Sequence, residues 1–466
     1  DGDSSVYGGA PELCDGKDND CDDDIDESCS DEPSWPRTWT VATSASAVIT
    51  TPAESELGMP TLAADYNGDG YTDLVLGAPY YDGYPNWWGA VYFVPGPLAD
   101  VTDVDGTTGV IVRGPDAEWQ VGEYLAAGDD YDGDGCDDSF LARCDRYDGC
   151  WFSGASVATG VATDVGHLVS LADDELQTAR PGSAGDMSGD GYDDLVLLTY
   201  VAGSSTNEDG RISMIAGPFL DDVATSDATA VVSGTADFRV GRHAWAGGSD
   251  LDGDGQNDLV IPASSGAVDT DEIDAVLILS GPLAGGTATE ADAVLELAPE
   301  TSADLSVKML GDIDGDGTVD LALGLPNADD AGPLSGKVLL ELGPVANGVS
   351  AGWSDLVAVG EGTVDSAGWD VSAIETSGAP GILLVGAPGG NGTAPYSGVV
   401  YGIAMPASGT IDLADVTERW AGDSWNHNFG AGLVAGHDLD GDGLLDLVIG
   451  DPAYVAYGGV FIFPEP

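Results

Sequence analysis

Asp250-Leu-Asp-Gly-Asp-Gly-Gln-Asn-Asp258, running straight on into Leu259-Val-Ile-Pro262, is the stretch that decides the fold. Carboxylates stand at positions one, three, five and nine, and Gly255 fills position six. Two like charges about 4 Å apart repel by roughly 1 kcal/mol in water and about 4 near a protein surface, so this crowding calls for a hard cation. Ca²⁺ takes oxygens from alternate positions of such a loop, a backbone carbonyl at position seven, and a glycine at the sharp turn. Here the ligands are Asp250, Asp252, Asp254 and Asp258, with the carbonyl of Gln256.

The spacing returns along nearly the whole chain. A first loop offers Asp65, Asn67, Asp69 and Asp73 with the Tyr71 carbonyl; a second offers Asp130, Asp132, Asp134 and Asp138 with that of Cys136. The third has Asp186, Ser188, Asp190 and Asp194 with Tyr192, and the fifth Asp312, Asp314, Asp316 and Asp320 with Thr318. The last has Asp438, Asp440, Asp442 and Asp446 with Leu444. Successive loop starts are 65, 56, 64, 62 and 126 residues apart, the last interval being two units of 63. The skipped unit falls near residue 374, where Gly368 to Pro388 keeps the flanking apolar strands without the acidic loop. The count is seven units, the sixth without a metal loop.

Within a unit a Gly-led strand such as Val121-Gly-Glu-Tyr-Leu-Ala-Ala127 precedes the loop, and an apolar strand such as Asp73-Leu-Val-Leu-Gly-Ala-Pro79 follows. A second apolar strand (Gly89 to Gly96), a polar spacer and an outer strand (Gly109 to Gly114) complete it. Four short strands at a period near 60 are the pattern of a propeller blade. Unbroken apolar runs fit strands buried on both faces. The predicted fold is all-β: a seven-bladed β-propeller of four-stranded blades over residues 39–466. Residues 46–52 precede the first Gly-led strand as an outer strand does elsewhere, while the last unit stops at Phe463 without one. We therefore expect them to pair with the last blade and close the ring, removing an exposed edge.

Leu-Val-Leu-Gly-Ala-Pro79, Leu-Leu-Val-Gly-Ala-Pro388, Phe429-Gly430 and the Asp-x-Asp-x-Asp-Gly-x-x-Asp loops resemble FG-GAP repeats. These build the seven-bladed propeller of integrin α-subunits and occur in many bacterial secreted proteins. The resemblance covers about residues 40–466, and six copies at one period make it specific. It implies an extracellular, integrin α-like module in cell adhesion or binding.

Composition agrees. Twelve basic against 82 acidic residues give a formal charge of −70, which excludes nucleic acid and anionic membrane as partners. A 43% hydrophobic fraction argues for a folded chain despite this acidity. Seven bound divalent ions would leave about −56. No apolar run reaches the ~18 residues of a transmembrane helix. The start at Asp1 reads as a processed or trimmed secreted chain, bacterial, extracellular or at the cell surface.

Residues 1–38 form a separate extension and linker. Cys14 to Glu27 holds its own loop spacing: Asp18, Asp20, Asp22, the carbonyl of Asp24, and Asp26. It resembles the cysteine-framed metal-binding motif of bacterial secreted proteins. With oxygen ligands and no histidine nearby, Ca²⁺ is favoured over copper, making a seventh site; an acidic leader clipped by a disulfide is the alternative. The cysteines are Cys14, Cys21, Cys29, Cys136, Cys144 and Cys150. If all pair within the chain, at least one bridge joins the two groups of three. Cys144–Cys150 flanks a turn, Cys14–Cys21 would brace the leader loop, and Cys29–Cys136 would remain. No Cys-x-x-Cys spacing supports zinc.

For partner contacts the candidates are Tyr81, Tyr84, Trp87 and Trp88 between the second and third strands of blade 1, and Trp119, Trp369 and Trp425 in outer-to-inner connections. The integrin resemblance places these on the face opposite the metal loops. Such rings anchor interfaces and stack on sugars, or simply pack between blades. Catalytic signals are thin. Gly348-Val-Ser-Ala-Gly352 matches a nucleophile-elbow pattern, but in a turn-rich linker with no helix to follow. His167, His243, His427 and His437 lack metalloprotease spacing, and Asn391-Gly-Thr393 is a chance-level glycosylation match. The expected function is a non-enzymatic, calcium-stabilised binding or structural module whose partner is extracellular protein, carbohydrate or another copy of itself. The alternative is a polysaccharide lyase or hydrolase using face carboxylates.

Overall fold

The seven predicted units are seven sheets in the computed structural model, the last closed by chain from the first fifty residues. The structure describes residues 38–40 and 45–463, except 52–54, 82–87, 99–108, 117–119, 146–147, 158, 172–174, 178–182, 202–209, 236–237, 241–244, 266–271, 288–292, 302–304, 346–349, 352–354, 377–378 and 454–457. The leader loop (Asp18, Asp20, Asp22, Asp24, Asp26), Cys14, Cys21, Cys29, Tyr84, Trp87, Trp119 and His243 lie outside the described residues.

Blade 1 shows the plan. Inner strand Thr61–Ala64 pairs with Asp73–Ala78, then Ala90–Val94, then outer strand Val110–Arg113, all antiparallel. The two middle strands are buried along their whole length. Their unbroken Val/Leu/Phe runs are therefore sandwiched between blades rather than exposed on one face. In blade 4 the innermost edge divides into Phe238–Val240 and Ala246–Ser249, both paired with Asp258–Ser265.

Closure follows the expectation: Ala47–Thr50 pairs antiparallel with Gly459–Phe463 as the outer strand of blade 7, and Ile49 is fully buried there. The four-stranded blades carry one addition. The outer strands of blades 1 to 6 each carry a further short parallel strand. For blades 1 to 5 these are Gly160–Val161, Val223–Ala224, Gly286–Thr287, Ser350–Ala351 and Gly409–Asp412. Each comes from the spacer between third and outer strands of the following blade, so the spacer latches its neighbour's edge. Ser350, within the nucleophile-elbow match, belongs to such a latch. On blade 6 the latch is Thr38–Thr40, paired with Glu418–Ala421. The expected boundary at 38/39 thus falls inside a strand, and the N-terminal segment both latches blade 6 and completes blade 7.

The core is not one mass but seven clusters, one at each blade interface. Cys144 and Cys150 are bonded, as expected from the turn they flank, with Cα atoms 5.7 Å apart.

Candidate metal centres

Each acidic loop leaves the end of an inner strand and enters the second strand, so all six lie on one end of the ring. The local fold is set by the sequence. Position six needs φ > 0, and Gly70, Gly135, Gly191, Gly255, Gly317 and Gly443 adopt +87° to +94° there. The position-one carboxylate organises the turn: Asp250 Oδ1 accepts from the Gly253 and Asp254 amides at 2.7 and 3.0 Å, and Oδ2 from Gly255 at 2.8 Å. Asp252 and Asp254 accept from the amides two residues on, at 3.1 and 2.9 Å.

The aspartates of positions one to nine are thereby brought together. Three carboxylate oxygens approach within 4.8 Å of one another at Asp130/Asp132/Asp138, Asp250/Asp252/Asp254, Asp312/Asp314/Asp316 and Asp438/Asp440/Asp446. In the first and third loops position three is Asn67 or Ser188, a neutral oxygen. Asn67 Nδ2 donates to Asp73 Oδ1 at 3.3 Å, and Ser188 Oγ lies 3.4 Å from Asp186 Oδ1.

Position nine carries the strongest electrostatic signature. Asp73, Asp138, Asp194, Asp258 and Asp320 are fully buried and Asp446 nearly so. Burial, helped by neighbouring carboxylates and opposed by backbone amides, pushes Asp73, Asp194, Asp320 and Asp446 up to about 6. Asp138 rises to about 8 for the same reasons. One oxygen is held by the end of the third strand, as in Gly96 N–H to Asp73 Oδ1 at 2.6 Å and Gly343 N–H to Asp320 Oδ1 at 2.8 Å. Asp73 Oδ2 and Asp258 Oδ1 are buried and find no hydrogen-bond partner among the described residues. A buried carboxylate oxygen without a donor is costly, and a cation held by an all-oxygen donor set answers that cost. The residues present fit a hard metal ion.

The loops also do something the motif does not reveal. Position two of every loop is apolar or aromatic and buried: Tyr66, Tyr131, Met187, Leu251, Ile313 and Leu439. Each packs in the cluster shared with the next blade around the ring. The peptide of that turn is tied across as well. Phe219, Leu283, Val345, Gly381 and Leu98 donate backbone N–H bonds to the carbonyls of Tyr131, Met187, Leu251, Ile313 and Leu439 at 2.6–3.0 Å. In the first loop the tie comes from position eight of the second. Asp137 Oδ2 accepts from the Asp65 amide at 2.7 Å, and the Asp137 amide donates to the Asp65 carbonyl at 3.0 Å. Asp193 repeats the clasp on the Asp130 amide at 2.9 Å. A metal loop thus shapes one blade and pins the next. Blade 6 has no such loop; its tie to blade 7 stands at the opposite end of the inner strand, where Asp370 Oδ2 accepts from the Leu433 amide at 2.8 Å.

One prediction follows directly. Leu251→Ala should destabilise the protein by about 2–5 kcal/mol, as for other fully buried leucines, although the residue sits inside a surface loop. Urea unfolding measures it; a loss below about 1 kcal/mol would show that the side chain does not support the interface.

The other expected site residues divide. Trp425 is 68% exposed and Trp88 37%. Tyr81 is half-buried, edge-on to Tyr92 at 6.3 Å and beneath the Arg113 guanidinium at 5.0 Å, so packing accounts for it. Trp369 lines a cavity on the ring axis, at the end opposite the acidic loops. Tyr396, at 43% exposure in the blade 6 connection beside Trp425, was missed for want of a motif. Cys136 has no disulfide partner among the described residues, and the expected Cys29 lies outside them. His167 stacks on Trp151 at 4.5 Å, and His427 pairs with Asp451 at 3.3 Å.

Comparison with known families agrees with this geometry. A family model described as "FG-GAP repeat" matches residues 61–94, spanning the inner strand, acidic loop and two middle strands of blade 1. A second, described as "Putative metal-binding motif", matches residues 1–27. No curated protein matches the chain. Among the described residues no helix is long and apolar enough to cross a membrane. The chain is a seven-bladed β-propeller whose residues 61–94 match the FG-GAP repeat and whose residues 1–27 match a metal-binding motif.

Proposed function

We propose that this chain is a secreted, calcium-stabilised binding or structural module, displayed at a cell surface or within an extracellular assembly, that performs no chemistry of its own. The observation that carries the reading is the division of labour between the two ends of the ring. Six all-oxygen loops at one end each fix a blade interface, which uses them for architecture. Carboxylate-rich loops with a carbonyl at position seven suit Ca²⁺, which accepts many oxygens in flexible geometry, better than Mg²⁺, which demands a near-ideal octahedron.

Exposed large side chains occur at both ends, Tyr71, Tyr192 and Leu444 standing in the acidic loops, but at the other end they gather in adjoining connections. Trp425, Tyr396, Leu334 and Val364 are 68, 43, 41 and 39% exposed in adjoining connections of blades 5 to 7. Backbone bonds from Val364 to Pro333 and from Asn426 to Pro395 draw these connections together. Leu334, Val364, Tyr396 and Asn426 all hold φ between +53° and +70°. Such strain in non-glycine residues persists where the surroundings over-determine it, often at binding sites. We assign this patch as the face offered to protein or carbohydrate, with the N-terminal extension as a second attachment point for a neighbouring copy.

The test is a glycan and surface-protein binding array with product analysis. Binding without turnover, lost on Trp425→Ala with an unchanged melting curve, is the expected result. Turnover of any polysaccharide, abolished by replacing a face carboxylate, would instead make the chain an enzyme.

A further inference from the structure

We propose that the cavity on the ring axis, at the end away from the acidic loops, is a saccharide site holding a single pyranose ring between Trp245, Trp369 and Tyr124. These side chains sit just before inner strands Ala246–Ser249, Val371–Thr376 and Leu125–Asp129. Those are the strand ends opposite the ones from which acidic loops depart. The cavity encloses about 300 Å³ and draws its walls from six of the seven blades. That is the lower end of the range for small-molecule sites, with room for one ring rather than an oligosaccharide.

Its chemistry is mixed in a particular way. Trp245 is only 4% exposed, yet its indole N–H finds no acceptor among the described residues. A buried donor left unpaired costs about 1–3 kcal/mol and asks for an acceptor. Glu123, Asp370 and Lys308 line the same space. Lys308 Nζ lies 3.9 Å from Asp370 Oδ1, while Asp370 Oδ2 is engaged by the Leu433 amide. The walls therefore offer aromatic faces, two carboxylates that accept, and an ammonium and an indole that donate. An organic cation would meet Lys308; an anion would meet Glu123 and Asp370 in a chain of formal charge −70. A neutral pyranose suits every wall: its C–H face lies on an aromatic ring, and each hydroxyl both donates and accepts.

The inference rests on the chain being a binding module but places the ligand on the axis, apart from the patch around Trp425. The full-length, calcium-loaded protein is titrated with D-glucose, D-galactose, D-mannose, N-acetyl-D-glucosamine and L-fucose, followed by saturation-transfer NMR and tryptophan fluorescence. At least one sugar is expected to bind. Trp369→Ala should weaken it about 30-fold or more, as for a buried aromatic anchor. Trp245→Phe keeps a ring and removes only the N–H, and should weaken it about 3- to 10-fold; Leu220→Ala, at an exposed residue far from the axis, should leave it unchanged. If Trp245→Phe fails to fold, Trp369→Ala and Glu123→Gln, checked by melting curve, carry the test. No binding by any of the five sugars overturns the proposal and leaves the Trp425 patch standing. Sugar binding that survives Trp369→Ala and Glu123→Gln but is lost in Trp425→Ala overturns the axial site and keeps the binding module. Tetramethylammonium binding more tightly than every sugar overturns the ligand class.

Discussion

Stripping divalent ions with a chelator should lower the melting temperature by tens of degrees. An ion that binds only the folded chain adds about 2.7 kcal/mol per site at a hundredfold excess over its dissociation constant. Six independent loops would contribute on the order of 15 kcal/mol, comparable to the whole stability of an ordinary domain. A chain this long loses only a degree or two per kcal/mol, since the shift per kcal/mol falls with size. The product is still tens of degrees. The effect should be cooperative, because each emptied loop relaxes two blades. Leu251 and Ile313 would lose the turns that hold them in the blade 4–5 and 5–6 clusters. Differential scanning calorimetry with and without EDTA measures this, and an unchanged melt would remove calcium from the account of stability.

Opening the ring should be nearly as damaging. Deleting residues 1–52 strips the latch from blade 6 and the outer strand from blade 7. It unburies Ile49 and leaves Gly459–Phe463, an apolar strand, as a bare edge. Bare apolar edges pair with other chains. The truncated protein should be insoluble, or melt more than about 10 °C below the full chain and elute as aggregates. A point variant separates closure from the lost leader: Ile49→Asp places an unpaired charge in the blade 7–1 cluster and should cost at least about 3 kcal/mol. A truncated chain that is soluble, monomeric and equally stable would mean the ring closes without this strand.

Much of this is legible in the sequence alone. The period of the acidic loops, the erased copy near residue 374 and the strand-like segment at 46–52 give blade count and closure, because each is a local pattern with one physical meaning. What escaped lacks such a pattern. Gly160–Val161 and Gly286–Thr287 latch neighbouring blades with two residues each, too few to show any periodicity. Leu251 and its counterparts stand between ligands, where a loop motif treats them as spacers, so their burial is visible only once the next blade is in place. Asp137 and Asp193 stand at position eight, which the loop spacing leaves without a role, yet their carboxylates clasp the preceding loop. Trp369 was expected in a connection on the face opposite the metal loops, and nothing in its sequence context shows that the turn there carries it to the axis. Trp245 drew no notice, since a tryptophan followed by Ala-Gly-Gly has no signature of its own.

The central claim is that the acidic loops are occupied calcium sites that hold blade to blade, and counting bound ions tests it most directly. Native mass spectrometry of the full chain equilibrated with millimolar Ca²⁺ should find one ion for each of the six propeller loops, and a seventh from the N-terminal motif. Asp250→Asn, which weakens the carboxylate that organises the fourth loop, should remove one ion from the count and lower the melting temperature with it. A chain that takes up no calcium, or a variant that keeps its full complement and its stability, would contradict the account.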